Sequence, residues 1–387
     1  MALSLKGVIL VGGPSVGTRF RPLSMDCPKP LFPIAGVAMI HHHVSSLAKT
    51  PGMREILLIG FFENAVFDRF ITEVSIEFPH LSIRHVRDAR PHDTRHPPPR
   101  VPLVPPPPTP YLREYQSLGT GGGVYHFRDE ILRGAPNAFF VLNGDIASSF
   151  PLNEMLLAHR NKKALATVMG IRVDKSKAHR YGCIVADADS RVIHFVEKPQ
   201  SFISDLISCG VYLLSSDVFG YFQKAIQVRR DTEAELGLQS DQLANMSIYS
   251  SNAVLNSRSE ERLQLEQDVL RVLATEKVLF AFEASSHKDF WMAVKHGSSA
   301  IPANRKYLQY FMQAQPRRLS EPVLLSPGKR LSFANSPAVT TPSVMSPAAM
   351  SPSTRDHPEL IAPVYIHPSA IIHPSAKIGP NVSIGPR

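Results

Sequence analysis

Three short apolar runs, each closed by a glycine turn, constrain what this chain can fold into more than any other feature. Lys6-Gly7-Val8-Ile9-Leu10-Val11 meets Gly12-Gly13, Glu55 to Ile59 meets Gly60, and Ala138 to Asn143 meets Gly144-Asp145. Runs this short and this apolar, without alternation, describe strands buried on both faces, as inside a parallel sheet. Residues 39–49 and 67–78 have helical patterning, and 81–86 reads as a further strand. Strands alternating with helices predict a parallel α/β sheet. Such sheets bind ligands beyond the carboxyl ends of their strands, where both Gly12-Gly13 and Asn143-Gly144-Asp145 fall.

The rest of the composition narrows the function classes. No apolar run in the 387 residues is long enough to span a bilayer, and the first residues lack the apolar region of a secretory leader. Cys27, Cys183 and Cys209 are isolated, which disfavours disulfide and zinc scaffolds and suits a reducing, cytoplasmic compartment. Cys183 and Cys209, in apolar strands, read as small core residues. Of 34 prolines, 10 lie in 87–111 and 8 in 312–358, and two-thirds of the net charge of +9 sits in or beside these segments. No basic stripe with interleaved aromatics accompanies that charge, so nucleic acid is not an expected partner, nor is a membrane. The expected organisation is a first domain over 1–311 with a polyproline insertion at 87–111, then a disordered Ser/Pro-rich linker at 312–358.

Residues 359–387 contain a true repeat. Ile366, Ile372, Ile378 and Ile384 recur every six residues, each followed by His or Gly and then Pro. This hexapeptide period predicts the start of a left-handed parallel β-helix with each Ile turned inward. Three hexapeptides make one coil, so little more than one coil is present, and the expectation is a truncated solenoid.

The chemistry concentrates in residues 12–30. Gly12, Gly13 and Gly17 let backbone N–H groups approach a phosphate chain. Arg19 can neutralise phosphates bidentately, and Lys29, held between two prolines, can reach a phosphoryl group. The pattern is neither a Walker loop nor a dinucleotide fingerprint. Gly-Gly, Gly17-Thr18-Arg19, Arg21-Pro22-Leu23 and Pro28-Lys29-Pro30, in series after a first strand, resemble the sugar-nucleotide pyrophosphorylases. These nucleotidyltransferases join a nucleoside triphosphate to a sugar 1-phosphate. Within that family the glycine loop, Leu118-Gly119-Thr120-Gly121-Gly122-Gly123, Tyr125-His126-Phe127-Arg128-Asp129 and the hexapeptides most resemble the alpha-type subunits of the GDP-mannose pyrophosphorylases.

The resemblance implies a doubly wound, Rossmann-like nucleotidyltransferase domain followed by the β-helix. It implies that the Gly119-Thr120-Gly121 loop contacts the base, with Thr18 beside the phosphates. It implies that Asp145, after Asn143, holds Mg²⁺. It assigns Tyr181-Gly182, Glu197-Lys198 and Ser208-Cys209-Gly210 to sugar binding. Three departures from the family pattern stand out. Pro14, Ser15 and Val16 widen a turn where catalytic members have one residue. Ala293, in Phe290-Trp291-Met292-Ala293, replaces their second metal-binding aspartate, and Ser208 stands where the family has Asn. The expected function is therefore a subunit that binds GDP-mannose and regulates a catalytic beta-type partner in a hetero-oligomer, with Mg²⁺ weakly bound or absent. The alternatives are an active mannose-1-phosphate guanylyltransferase, making GDP-mannose and pyrophosphate from GTP and mannose 1-phosphate, and a pyrophosphorylase for another nucleotide sugar. Two other features receive bland readings. His41-His42-His43 is expected to be solvated or capping, and Glu266 to open a surface helix.

Overall fold

The computed structural model describes residues 3–13, 18–60, 62–63, 65–81, 111–113, 119–228, 231, 263–319, 359–373 and 375–385. The Pro14–Gly17 loop, the expected strand beyond Leu81, the insertion up to residue 110 and the linker from 320 to 358 lie outside these. Two compact units are present, Met1–Leu31 with Met39–Lys295, and Phe32–Ala38 with His296–Arg387.

The strands up to residue 293 are β1 (Leu5–Gly12), β2 (Pro33–Ile34), β3 (Val37–Ala38), β4 (Met53–Gly60), β5 (Tyr111–Arg113), β6 (Ala138–Asn143) and β7 (Ile146–Ser148). They continue with β8 (Ala166–Arg172), β9 (Gly182–Ala186), β10 (Val192–Glu197), β11 (Leu206–Ser215), β12 (Leu279–Glu283) and β13 (Trp291–Ala293). All but β2 and β3 belong to the first unit. There β5, β4, β1 and β6 lie side by side and parallel. Val8 and Ile9 of β1 are wholly buried, as the unbroken apolar run requires.

The all-parallel expectation stops at β11, which runs antiparallel to β6 and to β8, while β12 is parallel to β8. The sheet is therefore mixed, with a parallel core. Direction was not readable because β11, buried along nearly its whole length, carries the same apolar run as a parallel strand. Helices α1 (Met39–Ala48) and α2 (Ala65–Glu77) connect the parallel strands. In α2 the buried residues Phe67, Phe70, Ile71 and Val74 recur at helical spacing and form one apolar face. Cys183 and Cys209 are fully buried in β9 and β11. Among the described residues no helix is long and apolar enough to cross a membrane.

In the second unit the hairpin β2–β3 and the helix Ala300–Ala314 pack with the repeat. The Asn304 amide links them, accepting from Ala35 N–H at 2.9 Å and donating to Asn381 O at 3.2 Å. Strands β14 (Glu359–Leu360) and β15 (Val364–Ile366) pair in parallel with β16 (Lys377–Ile378) and β17 (Val382–Ile384). Partners such as Ile366 and Ile384 stand three hexapeptides apart. Val364, Ile366 and Ile378 form a small core, with Ile372 and Ile384 packed on it.

One ion pair is buried inside the first unit. Lys6 on β1 and Glu55 on β4 are register partners with Nζ and Oε2 2.7 Å apart, and Lys6 also donates to Glu130 O. Breaking such a pair from one side leaves a charge without its counter-ion, at a cost of about 3–5 kcal/mol. Lys6→Met should lower unfolding stability by that order in urea titrations. The double variant Lys6→Met, Glu55→Met should recover most of the loss.

Candidate functional site

A cavity of about 770 Å³ opens at the carboxyl ends of β1 and β6, within the usual size range of small-molecule sites. The strand register builds its floor. Leu10 pairs with Asn143, and Gly144 N–H donates to Leu10 O at 2.8 Å, so the loops after both strands meet at one edge. Gly12 has φ +70°, a left-handed turn that glycine adopts without strain. Among the described residues, six basic side chains line the cavity against the three carboxylates Asp145, Glu197 and Glu266. This excess suits an anionic, phosphate-bearing ligand.

Asp145 and Lys29 are the central pair. Lys29 Nζ lies 3.0 Å from Asp145 Oδ2 and 5.9 Å from the centre of the Phe20 ring, which is wholly buried. Strand β13 lies against β7, and Val294 N–H donates to Asp145 O at 2.8 Å. This brings Ala293 into the cavity wall next to Asp145, where it presents a methyl group and no oxygen. Among the described residues no three His, Cys, Asp or Glu side chains converge as a metal site.

The turn bearing Asp145 is clamped from below. His43 of α1 is fully buried, with Nε2 3.1 Å from Asn143 O and its ring 4.6 Å from Phe150. Burial pulls its pKa down to about 4, so the ring is neutral and carries a single N–H, shared between two carbonyl acceptors: Asn143 O at Nε2 and Met39 O, 3.1 Å from Nδ1. The solvated reading of the His run is thus overturned. His42 is buried too, and His41 pairs with Glu77. Successive helix residues do point different ways, but α1 is enclosed on more than one side. Above the turn, Gly210 has φ +70°, and a Cβ there would stand 2.6 Å from Asn143 Nδ2.

Glu266 also departs from expectation. It lies on a π-helical turn, Leu265–Val269, and its carboxylate faces the cavity rather than opening a surface helix. Thr120 Oγ1 donates to it at 2.8 Å, Tyr212 OH at 3.1 Å, and Asn143 Nδ2 approaches at 3.4 Å. Burial first, and Glu266 second, push the Tyr212 phenol well above its ordinary pKa, so it remains a donor.

Of the residues singled out in the sequence, Gly12, Gly13, Arg19, Lys29, Thr120, Asn143, Asp145, Gly182, Glu197, Lys198 and Ser208 all line this cavity. Gly119 and Gly121 do not. They form the first turn of α3 (Gly119–His126), where the N–H groups of Gly121 and Gly122 both donate to Leu263 O at 2.9 Å. Gly17 lies outside the described residues, and Thr18 sits in the short turn Thr18–Phe20. Arg21, from the Arg21-Pro22-Leu23 signature, lines the wall too, as do Arg180, Tyr212, Glu266 and Lys295, which carry no local motif that would have marked them. Trp291, which donates to Cys209 O at 2.7 Å, packs edge-on against Tyr181.

The nucleotidyl transferase family model matches residues 6–247. This chain belongs to that family. Over 325 residues this chain is 40% identical to a Schizosaccharomyces pombe protein named a mannose-1-phosphate guanyltransferase, covering 83% of this chain and 68% of that one. It is 39% identical over 320 residues to a Danio rerio protein named mannose-1-phosphate guanylyltransferase regulatory subunit alpha-B, covering 82% and 65%. A Sus scrofa regulatory subunit alpha is 40% identical over 319 residues, with 82% and 65% covered. The chain thus spans about two thirds of the length of these relatives. A crystal structure of a Bacillus anthracis protein described as a glucose-1-phosphate thymidylyltransferase, in complex with sucrose, shares the fold. Its TM-score is 0.53 at 20% identity, covering 78% of this chain and 94% of that one.

The buried His43 makes the fold acid-sensitive in a defined window. The folded state holds the ring neutral, whereas the unfolded chain protonates it near pH 6.5. Stability is therefore whole above pH 6.5 and falls as the pH drops towards about 4. His159, buried beside Thr167 with its pKa also lowered to about 4, adds to the same slope. His43→Gln should flatten part of this slope in urea titrations between pH 7 and 4, leaving the share of His159.

Proposed function

We propose that this chain is a GDP-mannose-binding, alpha-type regulatory subunit of a mannose-1-phosphate guanylyltransferase. The observation that carries this reading is the Ala293 methyl group beside Asp145, whose carboxylate is already paired with Lys29. Joining a triphosphate to a sugar phosphate needs the charge on the reacting phosphates neutralised as pyrophosphate leaves. Mg²⁺ would serve that end and takes several oxygen ligands, of which carboxylates are the strongest. Asp145 alone, tied to an ammonium and with the Ala293 side chain offering no oxygen beside it, does not fit such a site.

Binding a finished nucleotide sugar asks for less. Arg19 and Lys29 supply charge for a diphosphate, the Asn143 and Ser208 walls supply polar atoms for a hydroxylated ring, and Trp291 and Tyr181 form a rigid side. The names of the relatives, regulatory alpha subunits of a mannose-1-phosphate guanylyltransferase, support the regulatory reading. GDP-mannose as ligand, a beta-type catalytic subunit as partner and a cytoplasmic hetero-oligomer complete the proposal.

Calorimetric titration with GDP-mannose, followed by pyrophosphate-release assays with and without the catalytic subunit, tests the reading. Binding without turnover by the isolated chain is expected, and robust Mg²⁺-dependent turnover would overturn it. Arg19→Ala should weaken binding by about 1–3 kcal/mol, the scale of a charge-assisted hydrogen bond. Lys29→Ala should cost more, because it also leaves Asp145 unneutralised towards the phosphates.

A further inference from the structure

Glu266 is a fixed carboxylate whose partners are all neutral. Among the described residues no basic side chain is paired with it, although six line the same cavity. Thr120 also accepts from Leu265 N–H at 3.0 Å, so its single hydroxyl hydrogen is committed to Glu266. Tyr212 is 1% exposed and approaches Ser208 Oγ at 3.4 Å as well as Glu266. Three elements, α3, β6 and β11, therefore converge to orient one carboxylate, and a π-helical turn projects it. Such turns occur often at functional sites.

Glu266 is half-buried, and holding a carboxylate there among neutral groups costs some desolvation, which a bound ligand can offset by donating to it. An ionised carboxylate accepts about four hydrogen bonds. Thr120 takes one position on Oε2 and Tyr212 one on Oε1, while the Asn143 amide reaches Oε1 only at 3.4 Å, a long contact that a ligand donor can displace, so both oxygens can accept from a ligand. We infer that Glu266 is the specificity-determining acceptor of this cavity, taking a pair of adjacent ligand donors, one on each oxygen. The inference rests on the nucleotide-sugar reading above.

Two parts of a purine sugar nucleotide offer that donor pair: the N1–H and N2–H edge of guanine, and vicinal hydroxyls of a pyranose. A uracil or thymine edge has one N–H between two carbonyl oxygens, which the carboxylate would repel. Tyr212 is then a positioning residue that holds Glu266 in place.

The test is calorimetry on the full chain with GDP-mannose, IDP-mannose (which lacks the guanine amino group) and GDP. Glu266→Gln keeps the side-chain size and should retain the thermal midpoint while weakening GDP-mannose about tenfold or more, the scale of one charge-assisted hydrogen bond. An equal loss for GDP, with IDP-mannose already weak for the wild type, assigns the donor pair to guanine. A loss for GDP-mannose without a loss for GDP assigns it to the sugar. Tyr212→Phe should cost affinity in the wild-type background and nothing further on top of Glu266→Gln, whereas a merely structural role would give additive losses. Wild-type affinity for GDP-mannose in both Glu266→Gln and Glu266→Ala overturns the inference and leaves the nucleotide-sugar reading standing. Failure of the wild-type chain to bind any of the three ligands overturns both.

Discussion

The parallel pairing of β1 between β4 and β6 is the constraint on which the rest of the first unit depends. It buries apolar side chains on both sheet faces, and it fixes the register that sets Leu10 opposite Asn143. From that register follows the bond from Gly144 N–H to Leu10 O, and with it the meeting of the glycine turn and the Asp145 turn. A shift of one residue would exchange the side chains packed on the two faces and separate the two turns. The site is thus a consequence of sheet packing, and the clamp by His43 and the close approach of Gly210 hold what the register has already placed.

Charge divides the cavity into two kinds of surface. Arg19 and Lys29 provide cationic reach, with Lys29 held by Asp145 and the Phe20 ring. Further along the wall, Thr120, Asn143 and Tyr212 surround Glu266 with neutral donors. A carboxylate paired to an ammonium is spent as a ligand for a cation, whereas one held by neutral donors keeps its charge and its spare lone pairs. Asp145 and Glu266, carried on different elements, therefore offer different chemistry, and of these two only Glu266 is held by neutral donors alone.

Much of this was legible in the chain. The runs at 6–11, 55–60 and 138–143 became strands because no other arrangement buries both faces of a short apolar segment. The helical patterning at 39–49 and 67–78 became α1 and α2 for the matching reason of one apolar face. Residues next to a strand's carboxyl end, Gly12, Gly13, Asn143 and Asp145, could be placed at a site because strand direction fixes where those ends lie. The Ala293 departure was visible through its neighbours Trp291 and Met292.

What local pattern could not supply is anything that depends on which distant segments meet. Glu266 stands 146 residues from Thr120 and 54 from Tyr212, and a Glu at the start of a helical segment looks the same whether it faces water or a cavity. His43 looked solvated because a helix alone does not reveal that a second layer encloses it. The antiparallel course of β11 was hidden because burial selects apolar residues irrespective of strand direction. The sequence by itself determined the strands, the helices and the glycine turns at the strand ends, since these rest on local periodicity and backbone freedom. Only the tertiary structure decided sheet direction, the pairing of Lys29 with Asp145 and the orientation of Glu266, since each is a contact between segments that only the packed sheet brings within hydrogen-bonding range.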